Sequence, residues 1–407
     1  MVDRDDARDS RPALLREPYR LFFPMGALYA LIVMAGWGLW LLDPGGQSAG
    51  WPVPALPLAW IHGHSLIWGV LQFFIFGFAL TALPRQCGHG EAIPPRRWLA
   101  LLIAFLAAQA AIWGGALGFG AGLAVSGAAL GGGLILAVAV GLARWVPDAG
   151  KPHQPRFAVA ALALIGGAAV ADALAWATTD PALHAWAVRA GLYGQMGLAL
   201  TFLHRLLPMF GRNAIDGYRG EQGARFLPFL GAGMVARLGL AAFPGEGVTI
   251  AGGVVDLVLA AWVAREAWRW SPRTAVGRWL VGAKLVPVAW FTVGLALSGV
   301  AGLGAVWPDA GRAWIHALGL GGMASLVLVF STRVSLGHAG HSLDPDRWLR
   351  AGLWLLQAAV VVRLLAPLWT APYGGGMMNS THWAAWLWLA AFALWLARLL
   401  PRMAEHS

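Results

Sequence analysis

The sequence predicts an all-α, polytopic integral membrane protein: a bundle of about twelve transmembrane helices with both termini cytoplasmic. Three observations carry that expectation. The 407-residue chain is 58% hydrophobic against 12% charged, with a mean hydropathy of +0.63, far from the balance of a water-soluble domain. Its apolar residues fall in blocks of about 18 to 25, long enough to cross roughly 30 Å of hydrocarbon as helices. Its arginines and lysines gather in alternate gaps between those blocks.

The blocks are centred near residues 31, 71, 108, 134, 167, 198, 234, 258, 291, 324, 359 and 391. They divide the chain into a cytoplasmic segment over 1–20, a single membrane domain over 21–400 and a cytoplasmic tail over 401–407. The first twenty residues carry both signs of charge and lack the apolar run of a cleavable signal peptide, so span 1 is expected to act as an uncleaved insertion signal. Arg16 and Arg20 precede span 1, Arg85, Arg96 and Arg97 follow span 2, and Arg144, Lys151 and Arg156 follow span 4. Arg212 and Arg219 follow span 6, Arg265 and Arg269 follow span 8, and Arg347 and Arg350 follow span 10. By the positive-inside rule, every even-numbered span then starts at the outer face and ends inside. The net charge of +10 therefore reads as topology, and nucleic-acid binding is not expected. Many of the 24 tryptophans lie at segment ends, as interfacial anchors do. The 54 glycines, often in small-xxx-small spacing, suit close helix packing. The single cysteine, Cys87, excludes an internal disulfide, a Cys-rich zinc site, an iron–sulfur cluster and covalent haem attachment.

This topology sorts the histidines. His62, His64, His184, His316 and His382 all fall at the outer ends of inward-going spans, whereas His204, His338 and His341 fall at the inner ends. Within Trp60–Gly69, "WIHGHSLIWG", His62 and His64 lie two positions apart, about 200° of helical rotation, so the imidazoles point to opposite sides. One of them can meet His316 across a haem, since neutral imidazole is a strong axial ligand. Gly319, Gly321 and Gly322 leave room beside His316 for a flat group to approach the backbone. The plain alternative is that each histidine is an interfacial hydrogen-bonding group and that the glycines only let helices pack. Met377, Met378 and His382 form a soft donor set that suits Cu(I), or else serve packing. His338 and His341 could hold a cofactor propionate, join proton uptake or cap a helix. Asp172, Arg189, Arg237, Asp256, Lys284 and Arg363 lie within the membrane blocks, where charge is expensive. Arg237 and Arg363 could neutralise haem propionates, and the others could form ion pairs or a proton relay.

These residues resemble the NnrS family of bacterial haem- and copper-containing membrane proteins linked to nitric oxide stress. "HGHSLIWGVLQFFIFGFALTALP" matches the family's His-x-His opening and its Gly-Phe-x-Leu-Thr-Ala-x-Pro segment. "RLLPMF", Arg205 to Phe210, matches its Arg-x-x-Pro-x-Phe element, and "HALGLGGMASLVLVFSTRVSLGHAG" its His-Ala helix ending in Thr-Arg-x-Ser-Leu-Gly-His-x-Gly. The chain departs from the family where Ser65 and Leu66 replace a Glu-Met pair, and where Arg85, Gln86, Cys87 and Gly88 replace Asn-Trp-Thr-Gly, so it is similar to a divergent member.

The resemblance implies haem b and copper, a bacterial inner-membrane location, and nitric oxide as the small ligand. It leaves open nitric oxide reductase-type oxidoreductase activity, for which a separate quinol or cytochrome must donate electrons. The layout is more loosely similar to the catalytic subunit of haem-copper oxidases and nitric oxide reductases. Two other classes stand beside this reading. One is a secondary transporter of a metal or small anion, disfavoured by the lack of internal repeats. The other is a haem-bearing sensor or assembly partner without turnover.

Overall fold

The computed structural model describes residues 12–42, 56–87, 93–146, 153–270, 279–305, 310–338, 340–370 and 376–404. A helix lies over each predicted centre. In chain order these are α1 (Tyr19–Leu42), α2 (Leu58–Gln86), α3 (Pro95–Phe119), α4 (Ala121–Ala143), α5 (Gln154–Thr178) and α6 (Pro181–Ala214). They continue with α7 (Phe226–Ala241), α8 (Glu246–Trp270), α9 (Leu285–Gly302), α10 (Gly311–His338), α11 (Arg347–Thr370) and α12 (Gly376–Ala404). No strand occurs among the described residues. Ten of these helices are long and apolar enough to cross a membrane. The others are α6, whose 34 residues include His184, Arg189, His204 and Arg205, and α7, which has 16 residues and reaches about 24 Å. The chain is a polytopic membrane helix bundle.

Most consecutive helices pack side by side, and α12 returns onto α1, where Arg20 donates to the Met403 carbonyl at 2.9 Å. Helices α2, α6 and α10 also touch one another. Burial marks them as the central three. Inside the bundle lies 83% of the apolar window of α2 and 61% of that of α10, against 33–50% for the other spanning helices. In α6, residues 190–204 are buried without a break.

Two local features place the chemistry. At the link from α5 to α6, Thr179 takes a left-handed conformation (φ 53°) and Asp180 caps α6, accepting from the Ala182 and Leu183 N–H groups at 2.8 and 3.1 Å. Pro181 then starts α6 at its first turn. This tight reversal sets the last turns of α5 against the first turn of α6. Secondly, α2 and α10 each change from α- to π-helical geometry directly after their histidines, over Ser65–Val70 and Ala317–Ala324. Such insertions are concentrated at functional sites because they re-aim side chains.

The tryptophans divide into two groups. Trp268, Trp348 and Trp383 are exposed and fit the anchoring role, but Trp68, Trp98, Trp176, Trp270 and Trp395 are fully buried. Trp68 bridges central and outer helices. Its indole donates to the Ile165 carbonyl at 3.0 Å, and its ring lies so close to α6 that a Cβ at Gly191 would meet it at 2.5 Å.

At the far end of α10 and α12, Asp346 caps α11 through the Trp348 and Leu349 N–H groups, both at 3.0 Å, and accepts from Arg398 and Arg402 at 2.8 and 2.9 Å. Burial pushes its carboxyl up, but the hydrogen bonds from Arg398, the Leu349 N–H and Arg402 outweigh that and hold it well below the usual carboxylate range. A depressed folded-state pKa means that Asp346 stabilises the fold above the unfolded value of about 3.9 and that this contribution is lost as pH falls through the folded value. Thermal melts should therefore show Asp346→Ala destabilised by roughly 1 kcal/mol at neutral pH and Asp346→Asn, which keeps the cap, destabilised less. The gap between wild type and Asp346→Ala should close on acidification.

Candidate functional site

A cavity of about 810 Å³ opens where α2, α6 and α10 begin, the end that the charge pattern assigns to the outside. Its size falls in the range of roughly 300–1,000 Å³ found for small-molecule and cofactor sites. His62, His184 and His316 line it, together with Arg189, Arg237, Arg312 and Arg363. No Asp or Glu is among the described residues of its wall.

The two histidines of "HGH" part as helical rotation requires. His62 faces the cavity, stacked on Trp37 with ring centroids 4.1 Å apart and planes within 19°. Its Nδ1 is buried without a hydrogen-bond partner, so a polar atom on the wall awaits a ligand or solvent. His64 turns the other way, packs beside Trp176, and donates from Nδ1 to Asp172 Oδ2 at 2.8 Å. It is buried and takes no part in the cavity wall.

On α10, His316 Nδ1 lies 3.1 Å from the Arg312 carbonyl one turn back. A carbonyl only accepts, so Nδ1 carries the proton and Nε2 of the neutral ring is left as a donor of electron pairs. His62 and His316 are close enough to each other and to Arg363 for a charge on one to be felt by the others. Of the glycines beside them, Gly63 and Gly319 face open space, whereas Gly321 and Gly322 do not leave the expected room: a Cβ there would meet Trp290 at 2.7 Å and Phe291 at 2.3 Å, so these two serve close helix packing. A Cβ at Gly63 would meet nothing within 4 Å, and one at Gly319 would meet only Leu192 at 3.5 Å. A flat group can thus approach both backbones.

The third ring, His184, comes from the first turn of α6. The tight α5–α6 reversal brings its Nδ1 to 2.6 Å from Asp172 Oδ1, while its ring stacks on Trp60 at 4.4 Å. One fully buried carboxylate therefore accepts from His64 and His184 at once. Carboxylate–histidine pairs of this kind fix the ring tautomer and raise the basicity of the other nitrogen, as the supporting groups of metal ligands do. On His184 that other nitrogen belongs to a ring on the cavity wall.

A second buried carboxylate organises the opposite wall. Asp256 on α8 accepts from Arg237 Nε at 2.9 Å and Ser298 Oγ at 2.7 Å, and from the Tyr193 hydroxyl in a short contact. Arg189 lies 3.6 Å from the same carboxylate, donates to Ser298 at 2.9 Å, and covers the Trp314 ring at 4.2 Å. Two guanidinium groups on the cavity wall thus share one carboxylate set behind them, and the wall itself presents positive charge.

Of the side chains expected from the sequence to bind a cofactor, the structure brings His62, His316, Arg237 and Arg363 to this cavity. His64 supports it from behind through Asp172. His382 is half-buried on α12 and not on the wall, although its neighbour Thr381 is. His338 lies at the other end of α10, beside Tyr19 at 5.2 Å, and cannot share a ligand with His62 or His316. Met377 and Met378 fall outside the residues whose side chains are described. Among the described residues, no three His, Cys, Asp or Glu side chains converge as a metal-binding group. His184, Asp172 and Arg189 were not among the expected cofactor residues. The Thr-Asp-Pro turn before α6 is the signal that could have drawn Asp172 and His184 together.

The family model described as NnrS protein matches residues 13–406. No curated protein shows significant similarity to the chain. With the match covering nearly the whole chain, and with the family's His-x-His and His-Ala segments meeting at one cavity, this membrane protein belongs to the NnrS family.

Proposed function

We propose that the chain is a haem b protein of the bacterial cytoplasmic membrane that binds nitric oxide and serves nitric oxide metabolism or nitrosative-stress relief. Membership of the NnrS family supports the nitric oxide connection. The observation that carries the haem reading is the cavity wall: three imidazoles and four guanidinium groups around about 810 Å³, with no carboxylate among its described residues.

His62 from α2 and His316 from α10 would hold the haem, whose iron would supply electron exchange and, where one of the two imidazoles yields its place, a position for a diatomic ligand. The hydrogen bond that His316 Nδ1 donates to the Arg312 carbonyl would leave Nε2 as the ligating nitrogen. Arg237 and Arg189, oriented by Asp256, present N–H forks that suit carboxylate side groups. Ile67, Val70 and Leu320 keep the deeper wall apolar, which favours a small uncharged ligand over water. His184, held by Asp172, offers a further nitrogen for a proton or for a second metal such as copper. If the protein turns nitric oxide over, electrons must come from a separate quinol or cytochrome.

An absorption spectrum with iron analysis of the purified full chain tests this. Wild type should show a haem Soret band, and His62→Ala and His316→Ala should each lose it while retaining helical circular dichroism. Wild-type protein reconstituted with haem but showing no Soret band would end the proposal. Gly319→Leu should likewise lose haem by filling the cavity with little change in melting temperature, because open space faces that position. Asp172→Asn should keep haem but weaken whatever ligand His184 holds by roughly 10- to 100-fold, measured by nitric oxide or metal titration.

A further inference from the structure

A second cavity, of about 540 Å³, lies at the opposite end of the same three helices. Its wall includes Phe78 from α2, Phe210 from α6, Phe330, Arg333 and His338 from α10, and His341 from the turn that follows. Phe78 and Phe330 also border a void of about 60 Å³ midway along these helices. There Phe78 packs edge-on against Phe202 and Phe330, with centroids 4.7 and 6.1 Å apart. This aromatic layer lies between the two large cavities, so whatever occupies the second is recognised by its own wall.

That wall is basic. The Arg333 guanidinium lies 4.0 Å from the centroid of the Phe210 ring, and the fully buried Lys284 ammonium lies 4.7 Å from the same centroid. Arg333 and Phe210 line the cavity, and Lys284 adds a basic group beside that ring without lining the wall itself. Among the described residues no Asp or Glu lines the cavity beside Arg333. A guanidinium on a largely apolar wall that offers no carboxylate has lost hydration, and an anion in the cavity would replace it. His338 and His341 place two further titratable donors on the same wall.

We infer that this cavity is a binding site for a phosphate-bearing anion. Donor number favours phosphate over carboxylate: guanidinium offers five N–H groups and each neutral imidazole one, more than the two oxygens of a carboxylate satisfy. The aromatic wall suits an apolar body attached to the anion. An anionic phospholipid headgroup and a free phosphate share this chemistry, and the charge pattern assigns this end of the bundle to the cytoplasmic leaflet, where basic pockets between helices take such headgroups. The inference does not depend on haem, because none of its residues lines the outer cavity.

The test uses the full chain in nanodiscs of phosphatidylglycerol or of phosphatidylcholine. Native mass spectrometry after release should find phosphatidylglycerol retained at least about fivefold over phosphatidylcholine, with the preference lost in Arg333→Gln and largely kept in Arg333→Lys. Melting in phosphatidylcholine discs with and without millimolar inorganic phosphate forms the second arm. Stabilisation by phosphate there identifies a free phosphate as a sufficient ligand, whereas preference for phosphatidylglycerol alone identifies the lipid headgroup; either supports the site. Equal retention of both lipids with no phosphate-dependent melting shift overturns it, as does a preference undiminished in a folded Arg333→Gln. If Arg333→Gln does not fold, the two wild-type arms decide. The Soret band of the outer cavity should be the same in wild type and Arg333→Gln, which separates this result from the fate of the haem proposal.

Discussion

A carboxylate inside a membrane must collect its partners from the helices around it, and the histidine-bearing end of this protein is organised by that requirement. Asp172 on α5 ties His64 of α2 to His184 of α6. Asp256 on α8 ties α6, α7 and α9 together through Tyr193, Arg237 and Ser298. Each carboxylate would be costly alone in hydrocarbon, and each becomes tolerable only when the donors converge. That convergence fixes the rotation of α6, because its first four turns must satisfy Asp172 on one side and Asp256 on the other.

The large cavity follows from this arrangement. With His184 drawn to Asp172 and with Arg189 and Arg237 drawn to Asp256, the side chains between the two carboxylates are held to the walls. The π-helical turns after His64 and His316 add to the opening, since they shift the register of α2 and α10 where the rings must point inward or away. The result is a chamber whose walls carry positive charge and imidazole while its supporting negative charge stays behind them. Such a distribution suits a ligand that brings its own anionic groups and lacks a metal ligand of its own.

Much of the architecture was legible in the residues. Block length and hydropathy located a helix at every expected centre, because a spanning segment must satisfy its backbone within itself and so leaves a continuous apolar record. The diverging directions of His62 and His64 followed from helical rotation alone, as the structure bears out. Other features left weaker marks. Tryptophan as a class reads as an interfacial anchor, yet Trp68 and Trp176 are fully buried, since composition does not distinguish a helix end facing lipid from one facing another helix. The joining of Asp172 to His184 depended on a two-residue turn whose cap was visible but whose spatial effect was not. The extra residue in each π-helical turn has no compositional signature in these glycine-rich segments.

By itself the sequence determined that this chain is a bundle of membrane helices, that its histidines gather at particular helix ends, and which family pattern it carries. These are properties of single segments: apolar length, charge in the gaps, residue spacing along one helix. Only the tertiary structure decided that α2, α6 and α10 are central, that His62, His184 and His316 share one chamber, and that His64 does not line it. Those outcomes depend on how helices rotate against one another, and that rotation is set by partners such as Asp172 and Asp256 that lie on other helices, distant in the chain.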